Sequence, residues 1–445
     1  MRPAPAPPAQ AATDERRLSL LLLCDDAQTI AATALQHMDA LTRLSRHRVH
    51  RLSLGQRLPD RIDLDRFDGI VIHYSAVAAL DRFLDEKSRQ RLAAYRGIKA
   101  LFIQDEHRHV RSTIALLRRL GIGLLFTCVP AGEVAKIYPP AELPGLRTES
   151  ILTGYVDPEL CRLAVPAFEA RPIDVGYRAR RLSAWLGRLG REKFLIGQRF
   201  AADAGAYGLV CDISSREEDR LYGRDWIDFL TRCKAVLGSE SGSSVFDLTG
   251  EIERAVLRHE LAAPETPFER LSELYFRGED GRIANGQISP RCFEAAALRT
   301  LMILYEGGYS GILRPWRHYV PLAKDHGNMA EIVAVLRDAR RAERIVDAAY
   351  REVALNPAYS FAAHVSRVDA LLAEAKREGE ARPGYPAAEW AVLSRPSLGS
   401  RLHWLRRRVK VAAHRLLFAG LLGRLPPEER DRIHRRIKRA TQAWS

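Results

Sequence analysis

The sequence predicts an α/β protein made of two consecutive Rossmann-like domains. Three observations carry this expectation. Short apolar runs alternate with helix-length segments; the alternation pauses at a proline-bearing stretch, Asp157–Pro172, and then resumes; and a strongly helical segment closes the second round. Strands separated by helices of this length pair in parallel, with helices on both faces of the sheet. A chain of 445 residues supplies two or three domains with full cores.

A segment at 1–17 opens with MRPAPAPPAQAA, the composition of a disordered arm. The first domain is expected at 18–165. Its opening run, Leu18–Cys24, is apolar but short, follows Asp14-Glu15-Arg16-Arg17 and meets Asp25-Asp26, so it reads as a strand and not a signal peptide. Further strands are expected at Val49–Leu54, Phe67–His73, Ile98–Gln104, Ile122–Cys128 and Thr148–Gly154. Helices fit Thr29–Leu44, Asp81–Tyr95 and Val110–Leu120.

The second domain, 166–345, begins with the strand Ile173–Tyr177. A helix at Gly190–Ala204, a strand at Leu209–Ile213, a helix at Asp225–Cys233 and a strand at Ala235–Gly238 follow. The loop Gly238–Ser244 leads to a less regular insertion, about 250–285. In Ile288–Leu313, Ser289 suits a helix N-cap and Pro290 the first helical position, where its missing N–H is no loss. Leu301–Tyr305 reads as a strand buried on both faces, with Glu306-Gly307-Gly308 at its carboxyl end. That is where open α/β sheets bind ligands, and a helix N-terminus beside a glycine loop suits an anion.

Tyr319–Ala323 adds a strand. The helical stretch from Met329, broken at Asn356-Pro357, supplies closing helices at 346–378, before a Pro/Gly-bearing linker at 379–400 and a basic tail at 401–445. Two Rossmann-like domains facing a cleft, closed by helices, describe the architecture called GT-B.

Composition narrows the classes. A hydrophobic content of 47% with 28% charged residues excludes a disordered chain, and no apolar run approaches the roughly 18 residues of a spanning helix. Cysteines 24, 128, 161, 211, 233 and 292 form no Cys-x-x-Cys pair and have no nearby histidine pattern, so reduced packing thiols and no metal site are expected. A net charge of +14 raises nucleic-acid binding as a reading. Against it, no zinc finger, RNP motif or helix-turn-helix is present, and the excess is heaviest in RLHWLRRRVK and RDRIHRRIKR of the tail. No specific nucleic acid is expected as a partner.

Along 401–438, Leu402, Leu405, Val409, Ala412, Leu416 and Leu417 fall near one helical face. Such a helix suits an anionic membrane surface and equally suits docking on the protein with arginine outward. The expected location is cytoplasmic, with peripheral contact at the inner face of the cell membrane.

The stretch ISPRCFEAAALRTLMILYEGGYSGILRPWRHYVPL, together with Asp174-Val175-Gly176-Tyr177-Arg178, Trp185-Leu186-Gly187, Lys193 and Gly238-Ser239-Glu240-Ser241-Gly242, resembles the CgeB/YkvP-type glycosyltransferase-like proteins of bacteria. These are relatives of the retaining glycosyltransferases of family 4. The likeness spans about 173–325; the first domain shares only its alternation, IHYS (72–75) and IQDEHR (103–108). It implies a GT-B glycosyltransferase of cell-surface polysaccharide biosynthesis, retaining and metal-independent. The donor would be a nucleotide-sugar, the acceptor a glycan or lipid-linked molecule, and no further cofactor would be needed.

The resemblance also assigns roles. Glu294 matches the second glutamate of the family's pair, which implies contact with ribose hydroxyls; a carboxylate accepts from two vicinal hydroxyls at once. The family's first glutamate falls on Gly286, so Glu240 is expected as its displaced equivalent, with Glu306 or Tyr309 the other choices for the sugar ring. This departure keeps open a GT-B-fold glycan- or nucleotide-binding protein without catalysis. Arg178, Arg180, Lys193 and Arg291 would hold the diphosphate, with Ser239, Ser289, Gly307, Gly308 and Tyr309 completing the donor site. His73 or Asp105 would be the base for the acceptor.

Each assignment has a structural competitor. Arg291 and Glu294 at i, i+3 fit a surface ion pair, Gly307-Gly308 an ordinary turn, and the serines of Gly238–Ser244 a helix cap. Lys193 fits a solvated helix residue, and His73 and Asp105 fit a structural hydrogen bond and a loop charge.

Overall fold

The structure, a computed structural model, describes residues 17–26, 32–376, 379–406 and 409. The arm expected at 1–17 therefore lies outside the described residues except for Arg17, and the tail beyond 409 lies outside them altogether.

The first domain runs β1 (Ser19–Cys24), α1 (Ala32–Arg43), β2 (Arg48–Ser53), β3 (Gly69–Ile72), α2 (Glu86–Ala94), β4 (Ile98–Ile103), α3 (Val110–Leu120), β5 (Leu124–Thr127), the short α4 (Val134–Ile137) and β6 (Arg147–Ser150). Its six strands are all parallel, in the order β2-β1-β3-β4-β5-β6. Every residue of β1 is buried. Leu21 and Leu23 pack into one cluster with Ile70, Ile72 and α3, while Leu20 and Leu22 pack into another on the opposite face. Strand side chains alternate faces, so a strand covered on both sides is apolar at nearly every position.

After the short α5 (Pro158–Cys161), the second domain runs β7 (Ile173–Arg178), α6 (Gly187–Ala204), β8 (Cys211–Ser214), α7 (Gly223–Arg232), β9 (Cys233–Gly238), α8 (Glu251–Ala262), α9 (Phe268–Tyr275), α10 (Pro290–Ala297), β10 (Leu301–Tyr305), β11 (Val320–Leu322), α11 (Met329–Arg337) and α12 (Ala339–Ala349). The sheet is parallel with order β11-β10-β9-β7-β8. Strand β10 repeats the logic of β1: Leu301, Ile303 and Tyr305 enter one core cluster, Met302 and Leu304 the other. Burying each such side chain contributes about 1.5–3 kcal/mol relative to exposure.

The chain passes between the domains twice, side by side, where the Val156 N–H donates to the Tyr359 carbonyl at 2.9 Å. Asn356 caps the turn at Pro357, and Ser360 caps α13 (Phe361–Ala375). This helix returns to the first domain and lays Phe361, Val365, Val368, Leu371 and Leu372 over Leu20 and Leu22. The segment expected to be a linker docks as well. Asp68 is buried, pairs with Lys376 just after α13 at 2.6 Å, and accepts from the Arg382 N–H at 3.0 Å. Tyr385 and Trp390, the latter on α14 (Ala387–Leu393), pack on Phe67, and Trp390 also meets His50.

Most boundaries shift by one to three residues from expectation, the insertion at about 250–285 holds the helices α8 and α9, and two larger differences have local reasons. The helix expected from Asp81 starts at Glu86, because Asp85 takes the cap position and accepts from the Ser88 N–H. The last strand of the first sheet stops at Ser150, four residues short, where its pairing with β5 ends. Among the described residues no helix is long and apolar enough to cross a membrane.

Candidate active site between the two domains

Both strand orders reverse beside their first strand, at β1/β3 and at β7/β9. Such switch points open a crevice at the carboxyl ends of parallel strands. In the second domain that crevice is a cavity of about 420 Å³, walled by Arg178, Arg180, Lys193, Trp226, Arg291 and Glu294, with Ala32 and Thr33 of the first domain at its edge. Ser239 and Ser289 also line it.

Three cations converge here. Arg291 stacks over the Trp226 ring at 4.7 Å and donates to the Arg178 carbonyl at 2.5 Å. Burial pushes Lys193 down to about 8; the Arg291 and Arg180 charges act in the same direction, and Asp105 opposes them. Arg180 is shifted down as well, first by the surrounding protein atoms and then by Arg220. Among the described residues, no carboxylate forms an ion pair with Arg180, Lys193 or Arg291. Like charges that depress one another's protonation are relieved by an anion placed among them.

Arg178 is differently employed. Its guanidinium donates to the carbonyls of Tyr177, Asp212 and Asp219, pairs with the Asp212 carboxylate at 2.8 Å, and covers the Phe229 ring. It braces the ends of β7 and β8, and its donors are committed to the protein. The N-terminus of α6 is likewise occupied: the Leu189 N–H donates to Ser244 and the Arg188 N–H to Asp280. Ser289 takes the N-cap conformation before α10, yet its hydroxyl makes no capping bond and stays at the cavity wall.

Two carboxylates flank the cations. Glu294 accepts from the Trp226 indole N–H at 2.7 Å through Oε2. Burial raises its pKa, while Trp226 and Arg291 oppose the rise. Among the described residues its Oε1 has no hydrogen-bond partner. Glu240, in the loop after β9, accepts from the N–H groups of Gly308 at 2.7 Å and Tyr309 at 3.1 Å. Its carboxylate lies against Gly286 and Gly307, where a Cβ on either would overlap it. The supporting loop is strained: Tyr309 and Ser310 both have positive φ, 44° and 56°. The Tyr309 ring is buried and its hydroxyl donates to the Tyr305 carbonyl at 2.5 Å, so only its backbone is available at the site. Gly307 and Gly308 are exposed, and Ser239 is buried with its hydroxyl toward the Glu240 carbonyl.

The first domain brings Asp105 to the cleft, exposed and electrostatically coupled to Lys193 and His107. His107 packs on Trp185, and burial lowers it to about 4. Gln104 donates to the Thr153 carbonyl. Glu106 is enclosed against Thr127, and burial raises it to about 8.

His73 does not face the cleft. Its Nε2 pairs with His37 Nδ1 at 2.9 Å, and His37 Nε2 pairs with His364 at 2.8 Å, all three rings being buried. Helices α1 and α13 cover this strand end, which local sequence around β3 does not show.

The domains are held in register by contacts the sequence did not single out. Gln287 donates to the Cys128 carbonyl and Thr153 to the Ile288 carbonyl, both at 2.5 Å. Arg108 binds Glu253 of the insertion through two bonds. Trp226 was equally hidden, since in α7 it reads as part of the apolar face that Phe229 and Leu230 define.

No protein-family model matches the sequence, and no curated protein matches it. Among solved structures, HepE of Anabaena in complex with UDP aligns over 80% of this chain and 100% of its own, at 11% identity and a TM-score of 0.45. The DNA-modifying β-glucosyltransferase, studied with and without uridine diphosphoglucose, aligns over 81% and 97%, at 12% identity and a TM-score of 0.43. TarM aligns over 68% and 54%, at 10% identity and a TM-score of 0.39. The architecture rests on the chain's own topology: two parallel α/β domains facing a cleft, with a closing helix returned to the first, constitute a GT-B fold.

Proposed function

We propose that the chain is a glycosyltransferase that takes its sugar from a nucleoside-diphosphate donor, of the CgeB-like group. The observation that carries this reading is the convergence of Arg180, Lys193 and Arg291, without carboxylate partners among the described residues, on one cavity at the β7/β9 switch point. A diphosphate meets that charge. Each charge-assisted hydrogen bond contributes about 1.5–3 kcal/mol, so two or three account for most of the roughly 8 kcal/mol of a micromolar complex.

In this reading the free oxygen of Glu294 takes the ribose hydroxyls while the Trp226 bond fixes the carboxylate's orientation. Glu240 and the Gly307–Tyr309 loop meet the sugar. When the bond from the anomeric carbon to the β-phosphate oxygen breaks, its electron pair stays on the phosphate, and the three cations stabilise that charge in place of a metal. The acceptor hydroxyl, from a cell-surface glycan or lipid-linked molecule, enters from the first domain. Its proton passes to Asp105, the exposed carboxylate that the first domain brings to the cleft, and the diphosphate departs as the anion. Transfer is with retention.

A second reading, donor binding without transfer, is favoured by one observation: Glu240 Oε1 is already engaged by two N–H groups. Incubation with UDP-, GDP- and ADP-sugars tests both. Release of nucleoside diphosphate, lost in Glu294→Ala at unchanged melting temperature, is the expected result. Tight donor binding with no release from any donor supports the second reading, and neither binding nor release overturns both.

A further inference from the structure

We infer that the helix at residues 398–406 carries a docking surface for an anionic lipid bilayer, placed at the cleft end of the first domain. One face of this helix is seated on the protein. Ser400 is buried and lies directly against Gly55, so closely that a Cβ on that glycine would overlap it; His403 and Trp404, on the same side, are half-buried. Gly55 follows the carboxyl end of β2, and in a parallel sheet all the carboxyl ends point one way. They point toward the cleft, where Cys128 beyond β5 meets Gln287 and His107 beyond β4 meets Asp247.

The opposite face is apolar and bare. Leu398, Leu402, Leu405 and Val409 are 74%, 46%, 56% and 56% exposed. Spacings of four, three and four place them in one row. At about 100° per residue, Arg401 and Arg406 fall roughly 60–80° to either side of that row, and both are exposed. Four large aliphatic side chains in one solvent-facing row mark a surface that is covered in use.

Charge identifies the cover. Residues 401–445 contain thirteen Lys/Arg against three Asp/Glu, so ten of the fourteen net positive charges of the chain lie in this segment. An apolar row bordered by arginine fits the boundary between headgroups and acyl chains, with leucine below the phosphates and arginine level with them. A nucleic acid would take the arginines and leave the leucines in water. A second copy would cover the leucines and crowd two strongly basic segments together. The surface also gives the cleft an orientation: a lipid-linked acceptor would reach the first domain from the side on which the helix rests. That last step rests on the proposed function; the lipid surface itself does not.

Sedimentation of the full-length protein with vesicles tests the inference. Binding is expected to vesicles of phosphatidylcholine with phosphatidylglycerol and not to phosphatidylcholine alone. In Leu402→Asp/Leu405→Asp it should weaken by about tenfold or more, with an unchanged melting temperature because both side chains point away from the protein. Equal sedimentation of that variant would overturn the apolar surface. So would an affinity for duplex DNA that matches the lipid affinity, or a dimer in solution that the variant abolishes. Donor turnover with soluble substrates, measured on the unmodified protein, separates the two readings: no turnover beside intact vesicle binding would sink the proposed function and leave this surface standing.

Discussion

The carboxylate of Glu240 occupies the space that a side chain at position 286 would require. Gly286 and Gly307 form the two walls of its cradle, and the N–H groups of Gly308 and Tyr309 hold its Oε1. The carboxylate thus reaches the end of β10 from the loop after β9, beside a position that is glycine. Residues 240 and 286 are brought together by a two-way backbone pairing between Ser241 and Gln287.

This geometry predicts that Gly286→Ala expels the carboxylate from its cradle. The loss of two charge-assisted bonds, about 1.5–3 kcal/mol each, should lower donor turnover by at least tenfold. The more telling variant is the exchange Glu240→Ala/Gly286→Glu, which returns a carboxylate to the same space from the other loop. Recovery of turnover above either single variant is expected. No recovery would mean that the backbone path of 238–244, and not the carboxylate's position, is what the site uses.

Much of the frame was legible because it depends on local pattern. The runs at β1 and β10 are apolar at nearly every position since both faces are covered, and Val110–Leu120 has a helical stripe ended by Gly121 at φ 65°. The candidate site was legible where a residue's own element carries it to the cavity: Arg180 just after β7, Lys193 on α6, Arg291 and Glu294 in the first turns of α10. Arg180, Lys193, Arg291 and Glu294 line one cavity. Arg178 stands at the same strand end, yet its donors go to carbonyls of residues 212 and 219, a destination fixed by the β8 edge and not by anything near 178 in sequence. His73 is enclosed by His37 and His364, the latter 291 residues later, so no window around β3 reveals its surroundings.

Lys193 should give donor affinity a pH dependence. Its pKa in the free protein is near 8, where the usual lysine stays charged beyond 10. The diphosphate is held by the protonated form, so affinity should be full below about pH 7 and fall as pH rises through 8. Calorimetric titration with nucleoside diphosphate between pH 6.5 and 9.5 reads this directly. Lys193→Gln should bind more weakly at pH 7 and show a flat profile over that range; a profile like that of the unmodified protein would remove Lys193 from the site.

The buried groups of the first domain give opposing slopes in stability. His37, lowered to about 3 by burial, and His73 and His364, lowered with it, stay neutral in the folded chain while the unfolded chain binds protons below about 6.5. Stability therefore falls as pH drops below 6.5, by up to about 1.4 kcal/mol per pH unit for each ring. Glu106 acts in the other direction: folded it keeps its proton to about 8, unfolded it loses it near 4.5, so stability falls as pH rises between these values. Glu106→Gln should raise the denaturation midpoint at pH 7 and leave it nearly unchanged at pH 4.5. A midpoint that moves equally at both would show that the side chain acts by packing and not by its proton.

Trp226 should prove a positioning residue for the ribose end of the donor. Its N–H fixes one oxygen of Glu294, and its ring supports Arg291 from below. Trp226→Phe keeps a ring beneath the guanidinium and deletes the N–H, leaving a half-buried carboxylate with one fewer donor. Loss of such a bond costs about 1.5–3 kcal/mol, and the Glu294 pKa, already raised by burial, should climb further. The expected result is a rise of about tenfold or more in the donor KM with a smaller change in kcat, greatest at low pH where the carboxyl gains its proton. Trp226→Ala should add the loss of Arg291 support and weaken binding of nucleoside diphosphate alone, which Trp226→Phe should largely preserve. If the two variants bind the diphosphate equally, the stacking on Arg291 has no part in holding it.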